Sequence, residues 1–391
     1  MGRRPVRQIA VLVETDDSWG RDVVQGIAEY AQMFGPWMLL VAPRDGQGRL
    51  RLPDGGAGHG IIARLGSPAM AEHVRSAGVP AVDTDTIACA VWTGRVATDD
   101  AHRARLALEH LRNRGFERFA YFAPPSRRYS SLRGRQFLAA AAAAGFDCAE
   151  YKPGYRPGRK IGFAEQQRLI DRWLGGLSRP VGVFTVDADR GRQLAETCQL
   201  AGVAVPDEVA ILAGDTDDLM CNVSSPPLSS VLLNSRRIGY RAAELLDRLM
   251  AGRRVPRKPI LVEPLGVIAR QSTDTLAIDD AEVVSAIRFI RTHAAAGINI
   301  GDVLEEVPVS RRSLELRFRK VLGRSPAEEI RHVKLEKAKG LLAESELPMA
   351  RVAAACGFAN VTRLGVAFRK RFGLTPLAYR KQAHPAFQLK K

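Results

Sequence analysis

The chain has 391 residues, 46% of them hydrophobic, and a formal net charge of +16 at pH 7. This length exceeds what one hydrophobic core usually holds, so it predicts two or three packed units. The sequence has no apolar run near the roughly 20 residues that a membrane helix needs, and the apolar run at residues 9–13 is too short to favour a secretory signal.

From residue 8 to about residue 267, short β-branched runs alternate with longer stretches of helical character. The candidate strands are residues 9–13, 60–65, 119–123, 181–186 and 209–213, and the candidate helices are residues 21–32, 100–114, 132–144, 188–201 and 236–250. This alternation predicts parallel strands joined by crossover helices. Ligands of such sheets bind beyond the carboxyl ends of the strands, so polar residues that follow the strands are the candidates for a site.

The alternation stops near residue 271, where a polar stretch predicts a linker. We expect one domain at residues 1–270, a linker at residues 271–280 and a helical domain at residues 281–391. Residues 282–391 hold 21 Lys and Arg against 10 Asp and Glu, a net charge of +11, whereas the first 281 residues hold 37 against 32, a net charge of +5. Such an excess suits a phosphate backbone, although a solvated basic surface would explain the charge equally well.

The helical segment contains an internal repeat with a constant offset of 50 residues. The aligned pairs include Ser310 with Asn360, Leu314 with Leu364, Phe318 with Phe368, and Gly323 with Gly373. Each copy predicts a helix, a short turn and a second helix that begins after a strong N-cap residue. The predicted helix pairs are residues 300–307 with 311–322 and residues 349–356 with 361–372. A capping box at Ser325 begins a connecting helix that reaches about Glu344.

A two-helix unit of this kind presents its second helix to the major groove of double-stranded DNA. The residues expected to contact DNA are Arg311, Arg312, Glu315 and Arg319 in the first copy, and Asn360, Thr362, Arg363 and Arg369 in the second. If both second helices bind one face of the duplex, their centres should lie about 34 Å apart. The alternative is a small helical bundle used for packing or dimerisation. The duplication, the caps, the charge and the spacing together argue against that alternative.

The helical segment also resembles the DNA-binding domain of AraC-type regulators. The resemblance rests on residues 352–353, 356–358, 368–376 and 379–380. Val361, Gly365 and Val366 depart from the pattern, because polar or basic residues are commoner at these positions. We therefore expect the second copy to make fewer base contacts than the first.

The first domain resembles LacI-type, periplasmic-binding-protein-like sugar sensors. The residues that carry this likeness are 18–27, 96–100, 133–137, 206–215 and 227–231. Joined to an AraC-type domain, the arrangement is similar to that of the xylose operon regulators. The resemblance implies a two-lobed α/β sensor, followed by an all-α domain with two helix-turn-helix units. It further implies a cytoplasmic homodimeric activator that binds operator DNA, a sugar such as D-xylose and RNA polymerase, with no cofactor and no metal.

The same resemblance implies a sugar site in the cleft between the lobes. Arg133 and Asp215 would bind sugar hydroxyls, and Trp19 would stack on the apolar face of the ring. Asp187 and Asp189 are further candidates. Each of the first three has a structural alternative, since Asp215 could cap a turn, Arg133 could form a surface ion pair and Trp19 could be a core residue.

An enzyme and a solute-binding transport protein are the rival functions. The sequence contains no GxGxxG turn, no GxSxG elbow and no HExxH helix, so the familiar catalytic motifs are missing. A transport protein would need an export signal and would have no use for a DNA-binding segment. The five cysteines, including Cys89, form no CxxC pair and favour a reduced cytosol over a zinc site.

Overall fold

The computed structural model describes residues 6–53, 56, 58–87, 90, 92–124, 128–154, 161–256, 258–278 and 280–383, without the side chains of 128–130, 343–344 and 382–383. Cys89 lies outside the described residues, and the other four cysteines are free thiols. None of the described helices combines the length and apolar character that a bilayer crossing requires.

The described residues form twelve β-strands and fifteen α-helices. The strands are β1 (Arg7–Leu12), β2 (Trp37–Val41), β3 (Gly60–Ala63), β4 (Ala81–Asp83), β5 (Gly94–Thr98), β6 (Phe119–Phe122), β7 (Cys148–Glu150), β8 (Val181–Thr185), β9 (Val209–Ala213), β10 (Ser229–Leu232), β11 (Ile260–Val262) and β12 (Gly266–Ile268). The helices are α1 (Ser18–Phe34), α2 (Pro68–Arg75), α3 (Asp100–Arg112), α4 (Arg128–Ala143), α5 (Phe163–Gly175), α6 (Ala188–Leu200), α7 (Asp218–Val223), α8 (Ser235–Met250), α9 (Ala281–His293), α10 (Ile300–Glu306), α11 (Arg311–Leu322), α12 (Pro326–Glu344), α13 (Met349–Ala355), α14 (Val361–Phe372) and α15 (Pro376–Ala383).

The strands form two six-stranded sheets, one in each lobe of the first domain. The first sheet has the order β11-β5-β4-β3-β1-β2 and the second the order β12-β10-β9-β8-β6-β7. All neighbours pair in parallel except β10 and β12. Every residue of β3, β6, β8 and β9 is buried, because helices cover both faces of a parallel sheet. The predicted two-lobed α/β architecture is confirmed.

The described chain crosses between the lobes three times. It leaves the first lobe after β5 and enters the second at α3, which packs on α4, β10 and β12. It returns after β10 through α8, which packs on α1 and the first sheet, and crosses again between β11 and β12. Helix α3 therefore begins at a junction between the lobes.

The predicted strands and helices of this domain are present, with ends that differ by up to four residues. The helix predicted at residues 21–32, for example, runs from Ser18 to Phe34, because Asp17 caps it by accepting the backbone N–H of Gly20 at 2.7 Å. The sequence reading missed the short strands β2, β4, β5, β7, β10, β11 and β12. Periodicity alone does not settle runs this short, and the sequence indicated β3, β6, β8 and β9, of four or five residues, but not these seven.

The helical region contains both predicted helix-turn-helix units. The second helices, α11 and α14, have the predicted bounds, as does the connecting helix α12. Ser310 accepts the backbone N–H of Ser313 at 3.3 Å, and Asn360 accepts that of Arg363 at 2.9 Å, so both predicted caps are formed. Helix α9, which the sequence reading did not single out, contributes Val283, Ile287 and other buried residues to the core of the first unit.

Residues 271–273, assigned to the linker for their polar composition, are bound to the second lobe as a short 3-10 helix. Ser272 and Thr273 are fully buried. Ser272 Oγ donates to the carbonyl of Ile211 at 2.6 Å and accepts the backbone N–H of Ser229 at 2.8 Å. The hydroxyl groups of Ser272 and Thr273 are therefore present because they form hydrogen bonds in the second lobe. From the sequence alone, such residues look the same as the polar residues of a loop. Leu276 and Ile278, by contrast, pack against the helical core.

Candidate functional site

A cavity of about 470 Å³ lies between the two lobes, at the carboxyl ends of the strands of both sheets. The first lobe contributes residues that follow β1, β3 and β4, and the second lobe contributes residues that follow β8 and β9. Ser18 and Asp217 connect the two sides, since Ser18 Oγ donates to Asp217 Oδ2 at 3.0 Å. This volume falls in the usual range for small-molecule sites.

The five residues predicted for a ligand site all line this one cavity. They are Trp19, Arg133, Asp187, Asp189 and Asp215. They come from four separate segments of the chain, which the carboxyl ends of the strands of the two sheets bring together around the cavity. The geometry is therefore consistent with the predicted site, and each side chain has its own set of contacts there.

Arg133 is buried and is held by several acceptors. Its Nη1 donates to the carbonyl of Val186 at 2.9 Å and lies 3.9 Å from Asp215 Oδ2. Its Nε lies 3.7 Å from Asp100 Oδ1, which is also 3.3 Å from Nε of Arg103. The Arg133 side chain is thus fixed between the first turn of α3 and the carboxylate that faces the cavity.

Asp215 has a perturbed carboxyl group. Burial, with the neighbouring Asp187 carboxylate, raises its pKa to about 6 against the opposing effect of Arg133 and Arg103. Its Oδ1 accepts the backbone N–H of Ala188 at 3.0 Å, at the beginning of α6. Asp215 therefore partly has the capping role that was its structural alternative, through Oδ1. Its other oxygen, Oδ2, faces Arg133.

Asp187 caps α6 by accepting the backbone N–H of Arg190 at 2.9 Å. Asp189 lies in the first turn of that helix and is exposed. The guanidinium of Arg64 stacks on the Trp19 ring, with Cζ 4.5 Å from the ring centroid. Arg64 therefore covers one face of the indole. A sugar ring could stack on that face only by displacing Arg64.

Of the first lobe's contribution to the cavity, the sequence predicted Trp19 but missed the residues that follow β3 and β4. Arg64 follows β3 directly, and Asp85 follows β4, with Nε of Arg64 3.8 Å from Oδ2 of Asp85. Asp85 was overlooked because β4 has only three residues and was not recognised as a strand. Arg64 fell inside a predicted strand, so its position at the strand end could have been found only with a sharper boundary.

Carboxylates dominate the walls of the cavity. The described lining residues include three arginines and eight acidic residues, which are Glu14, Asp16, Asp17, Asp85, Asp187, Asp189, Asp215 and Asp217. Carboxylates accept hydrogen bonds from hydroxyl groups and repel anions. The arrangement therefore favours a neutral polyhydroxyl compound or a cation over a phosphorylated or acidic one.

Among the residues that the structure describes, one group of potential metal ligands lies outside the cavity, at the lobe crossings. Asp99, His102 and Glu263 place one ligand atom each within 4.8 Å of the others. Asp99 accepts the backbone N–H of His102 at 2.9 Å, and Nδ1 of His102 lies 3.5 Å from Oε1 of Glu263. Burial lowers the pKa of His102. These mutual contacts explain the cluster without a metal ion.

The second helices of the two helix-turn-helix units expose most of the residues predicted to contact DNA. Arg311, Arg312 and Arg319 are exposed on α11, and Thr362, Arg363 and Arg369 are exposed on α14. Glu315 is half-buried and pairs with Arg311, with Oε1 3.1 Å from Nε. Asn360 is exposed, but its side-chain oxygen is occupied by the cap. Leu314, Phe318, Leu364 and Phe368 are fully buried and form the inner faces, as predicted.

The far end of α3 is bound to the helical region. Asn113, the C-cap of α3, accepts a hydrogen bond at Oδ1 from Nη1 of Arg324 at 2.7 Å. Its carbonyl accepts one from Nη2 of Arg291 at 2.9 Å, and its Nδ2 lies 3.3 Å from Nε2 of His332. Burial and the surrounding arginines lower the pKa of His332 to about 3, so the ring is neutral at pH 7 and accepts. Glu109 of α3 also pairs with Arg371 of α14.

Comparison with known protein families identifies the same two regions, the two-lobed domain and the helical region. Residues 108–273 match a family model described as a periplasmic binding protein-like domain, and residues 303–382 match one described as a helix-turn-helix domain. The xylose operon regulatory protein of Escherichia coli (strain K12) is 30% identical over 380 residues, which cover 95% of this chain and 96% of that protein. The protein of the same name from Haemophilus influenzae is 29% identical over 389 residues, covering 95% of this chain and 98% of the other.

Solved structures agree with this result. A structure described as the xylose-binding transcription activator xylR is similar over 96% of this chain and 98% of its own, with a TM-score of 0.61 and 28% identity. A LacI family transcriptional regulator from Mycobacterium smegmatis is similar over 68% of this chain and 98% of its own, with a TM-score of 0.53 and 19% identity. The second likeness concerns the fold of the two-lobed part alone.

Proposed function

Because this chain belongs to the family of xylose operon regulatory proteins, we propose that this sugar-responsive, DNA-binding transcription regulator activates a sugar operon in response to D-xylose. The observation that carries the proposal is the position of α3. This helix begins beside the cavity, where Asp100 lies near Arg133, and ends at Asn113, which binds Arg324 of the helical region. One rigid element thus joins the sensor cavity to the region with the helix-turn-helix units.

The cavity supports a small neutral sugar as effector. Its volume is sufficient for a pentose, and its excess of carboxylates disfavours sugar phosphates and sugar acids. In the proposed complex the carboxylates of Asp215, Asp187 and Asp189 accept hydrogen bonds from sugar hydroxyls, and Arg133 donates. Trp19 lies against the apolar face of the ring, on the side that Arg64 leaves accessible or vacates.

The reading of operator DNA is assigned to α11 and α14. We assign base contacts to Arg312 and Glu315, and contacts to bases or phosphates to Arg311, Arg319, Thr362, Arg363 and Arg369. Asn360 contributes through the cap that holds the first turn of α14 in place, with a phosphate contact from its amide nitrogen. The net charge of +11 on residues 282–391 supports this assignment.

The coupling between sugar and DNA follows from the differential affinity of the sugar for two arrangements of the lobes. A change at Asp100 and Arg133 moves α3, and α3 moves the surface on which Arg291, Arg324 and His332 are seated. We further propose that the protein acts in the cytoplasm as a homodimer, in contact with RNA polymerase at the promoter. The family likeness supports these last assignments.

Two measurements on the purified chain test the proposed function. Calorimetry with D-xylose, L-arabinose, D-ribose and D-glucose should show binding of D-xylose in preference to the others, and D-xylonate should fail to bind because it is an anion. DNA retardation should depend on salt and should change when D-xylose is added. Binding of no sugar in the panel, or equal DNA affinity with and without the sugar that binds, would contradict the proposal.

A further inference from the structure

The two second helices, α11 and α14, expose an apolar side chain at the same position. Leu316 is 62% exposed and Val366 is 67% exposed, and the 50-residue offset of the repeat superimposes one on the other. Each follows a fully buried core leucine, Leu314 or Leu364, by two residues. Two residues along a helix correspond to a turn of about 200°, so both side chains point away from the core.

Packing within the domain does not require these two side chains. The inner face of each helix is already filled by buried residues, among them Phe318 and Phe368. The residues that share the outer face with Leu316 are the exposed Arg312 and Arg319. Exposed apolar residues are ordinary when they occur singly, but here the repeat has one at the same place in both copies. Valine is also a poorer helix former than the polar residues that would suit an exposed site.

This outer face is the surface that a helix-turn-helix unit directs into the major groove. An alkyl side chain neither donates nor accepts a hydrogen bond, so it cannot recognise the polar edges of guanine, cytosine or adenine. Its complement in the groove is the C5 methyl group of thymine. The chemistry of the position thus selects one base.

We propose that Leu316 and Val366 are specificity-determining residues, each of which contacts the C5 methyl group of a thymine in the operator. The inference rests on the proposed DNA-binding function and extends it to the identity of two bases. Because the two positions are equivalent, the two thymines are separated by about one helical turn, roughly 10 base pairs, when both units bind one face of the duplex. The second copy therefore reads its segment by apolar contact, where the sequence alone suggested only fewer base contacts.

The test uses the full-length chain and a DNA site that the chain itself selects from a random duplex pool. Each thymine of the selected site is then replaced by uracil, which pairs identically but lacks the C5 methyl group. We expect one replacement in each segment to weaken binding about fourfold, the effect of exposing one methyl group's contact surface. Leu316→Ala should remove the sensitivity in one segment, and Val366→Ala should remove it in the other.

Two further variants complete the design. Leu200→Ala, which truncates a 74% exposed leucine on the sensor, should retain both uracil effects. Val366→Arg should shift the selected base from thymine to guanine, because arginine binds the O6 and N7 atoms of guanine. A selected site whose thymines can all be replaced without loss would overturn the inference alone. Sensitivity that persists in both alanine variants would do the same, whereas failure to select any sequence would contradict the proposed function itself.

Discussion

Asn113 of the sensor accepts a hydrogen bond from Arg324 of the helical region at 2.7 Å. The same side chain donates toward His332, and the carbonyl of Asn113 binds Arg291. Three residues of the helical region thus meet at one residue, which ends the helix that begins beside the cavity between the lobes. Contacts of this kind are where a change in the cavity can reach the DNA-binding surface.

We expect Asn113→Ala to weaken the coupling between the two sites. The side-chain hydrogen bond to a charged guanidinium contributes about 1.5 to 3 kcal/mol. In typical allosteric proteins one ligand changes the affinity for the other 5- to 150-fold. Loss of this hydrogen bond should make the effect of sugar on DNA affinity at least about fivefold smaller. DNA titrations with and without sugar measure this factor. Linkage requires that the effect of DNA on sugar affinity fall equally.

The matched control for Asn113→Ala is Arg105→Ala, an exposed residue on the same helix. This variant should keep the full coupling. Sugar affinity in the absence of DNA should be close to that of the wild type in both variants. An Asn113→Ala protein with unchanged coupling would show that α3 does not transmit the signal.

Asp215→Asn should lower sugar affinity by about one to two orders of magnitude, which corresponds to the 1.5 to 3 kcal/mol of a charged hydrogen bond. Asparagine keeps an oxygen for the backbone N–H of Ala188, so the beginning of α6 should stay intact. Calorimetry measures the sugar affinity, and DNA titration without sugar should give the wild-type value. Unchanged sugar affinity would remove Asp215 from the site.

Sugar affinity should depend on pH through Asp215. The pKa of this carboxyl is raised to about 6 by burial and by Asp187, so the group is ionised at pH 7.5 and largely protonated at pH 5. Only the ionised form accepts hydrogen bonds at both oxygens. Affinity should therefore fall as the pH drops through about 6, and Asp215→Asn should lose most of this dependence. An affinity that rises toward pH 5 would contradict the assignment.

Arg312→Ala should weaken binding to the selected DNA site by about 1 to 3 kcal/mol if the side chain reads a base edge. Arg312 is exposed on the outer face of α11, two residues after the cap Ser310. Titrations on the selected site and on random DNA separate the two roles, because equal losses on both would indicate a phosphate contact. Arg331→Ala, which removes an exposed arginine of α12, is the control and should lower both affinities little.

A fragment of residues 276–391 should fold and bind DNA at low salt without any response to sugar. It retains Leu276 and Ile278, which pack on the helical core, and it omits residues 271–273, which belong to the second lobe by their hydrogen bonds. The fragment loses the contacts of Arg324 and Tyr379 with the sensor, so its unfolding temperature should be below that of the same region in the full chain. Circular dichroism and DNA retardation measure both properties, and an unfolded fragment would refute its independence.

The helix-turn-helix units could be predicted almost completely from the sequence. The bounds of α11, α12 and α14 follow from local signals, namely the N-caps Ser310 and Asn360, the capping box at Ser325 and the apolar spacing. Capping and amphipathicity involve residues three or four positions apart, so a linear sequence contains them. Asp187, Asp189 and Asp215 follow recognisable buried strands, whereas Arg133 lies within α4 and was a candidate only through the family resemblance.

The tertiary structure alone decided which distant residues meet. The bond between Ser18 and Asp217 across the cavity, and that between Asn113 and Arg324 at the end of α3, join residues about 200 positions apart. Such contacts depend on how the three crossings place the two lobes and on how short strands such as β4 pair. Neither the placement of the lobes nor the pairing of short strands produces a periodic pattern in the sequence. Ser272 shows the same limit, since the sequence does not distinguish a buried serine hydroxyl that binds the sheet from the exposed serine hydroxyl of a linker, and only the packing around it does.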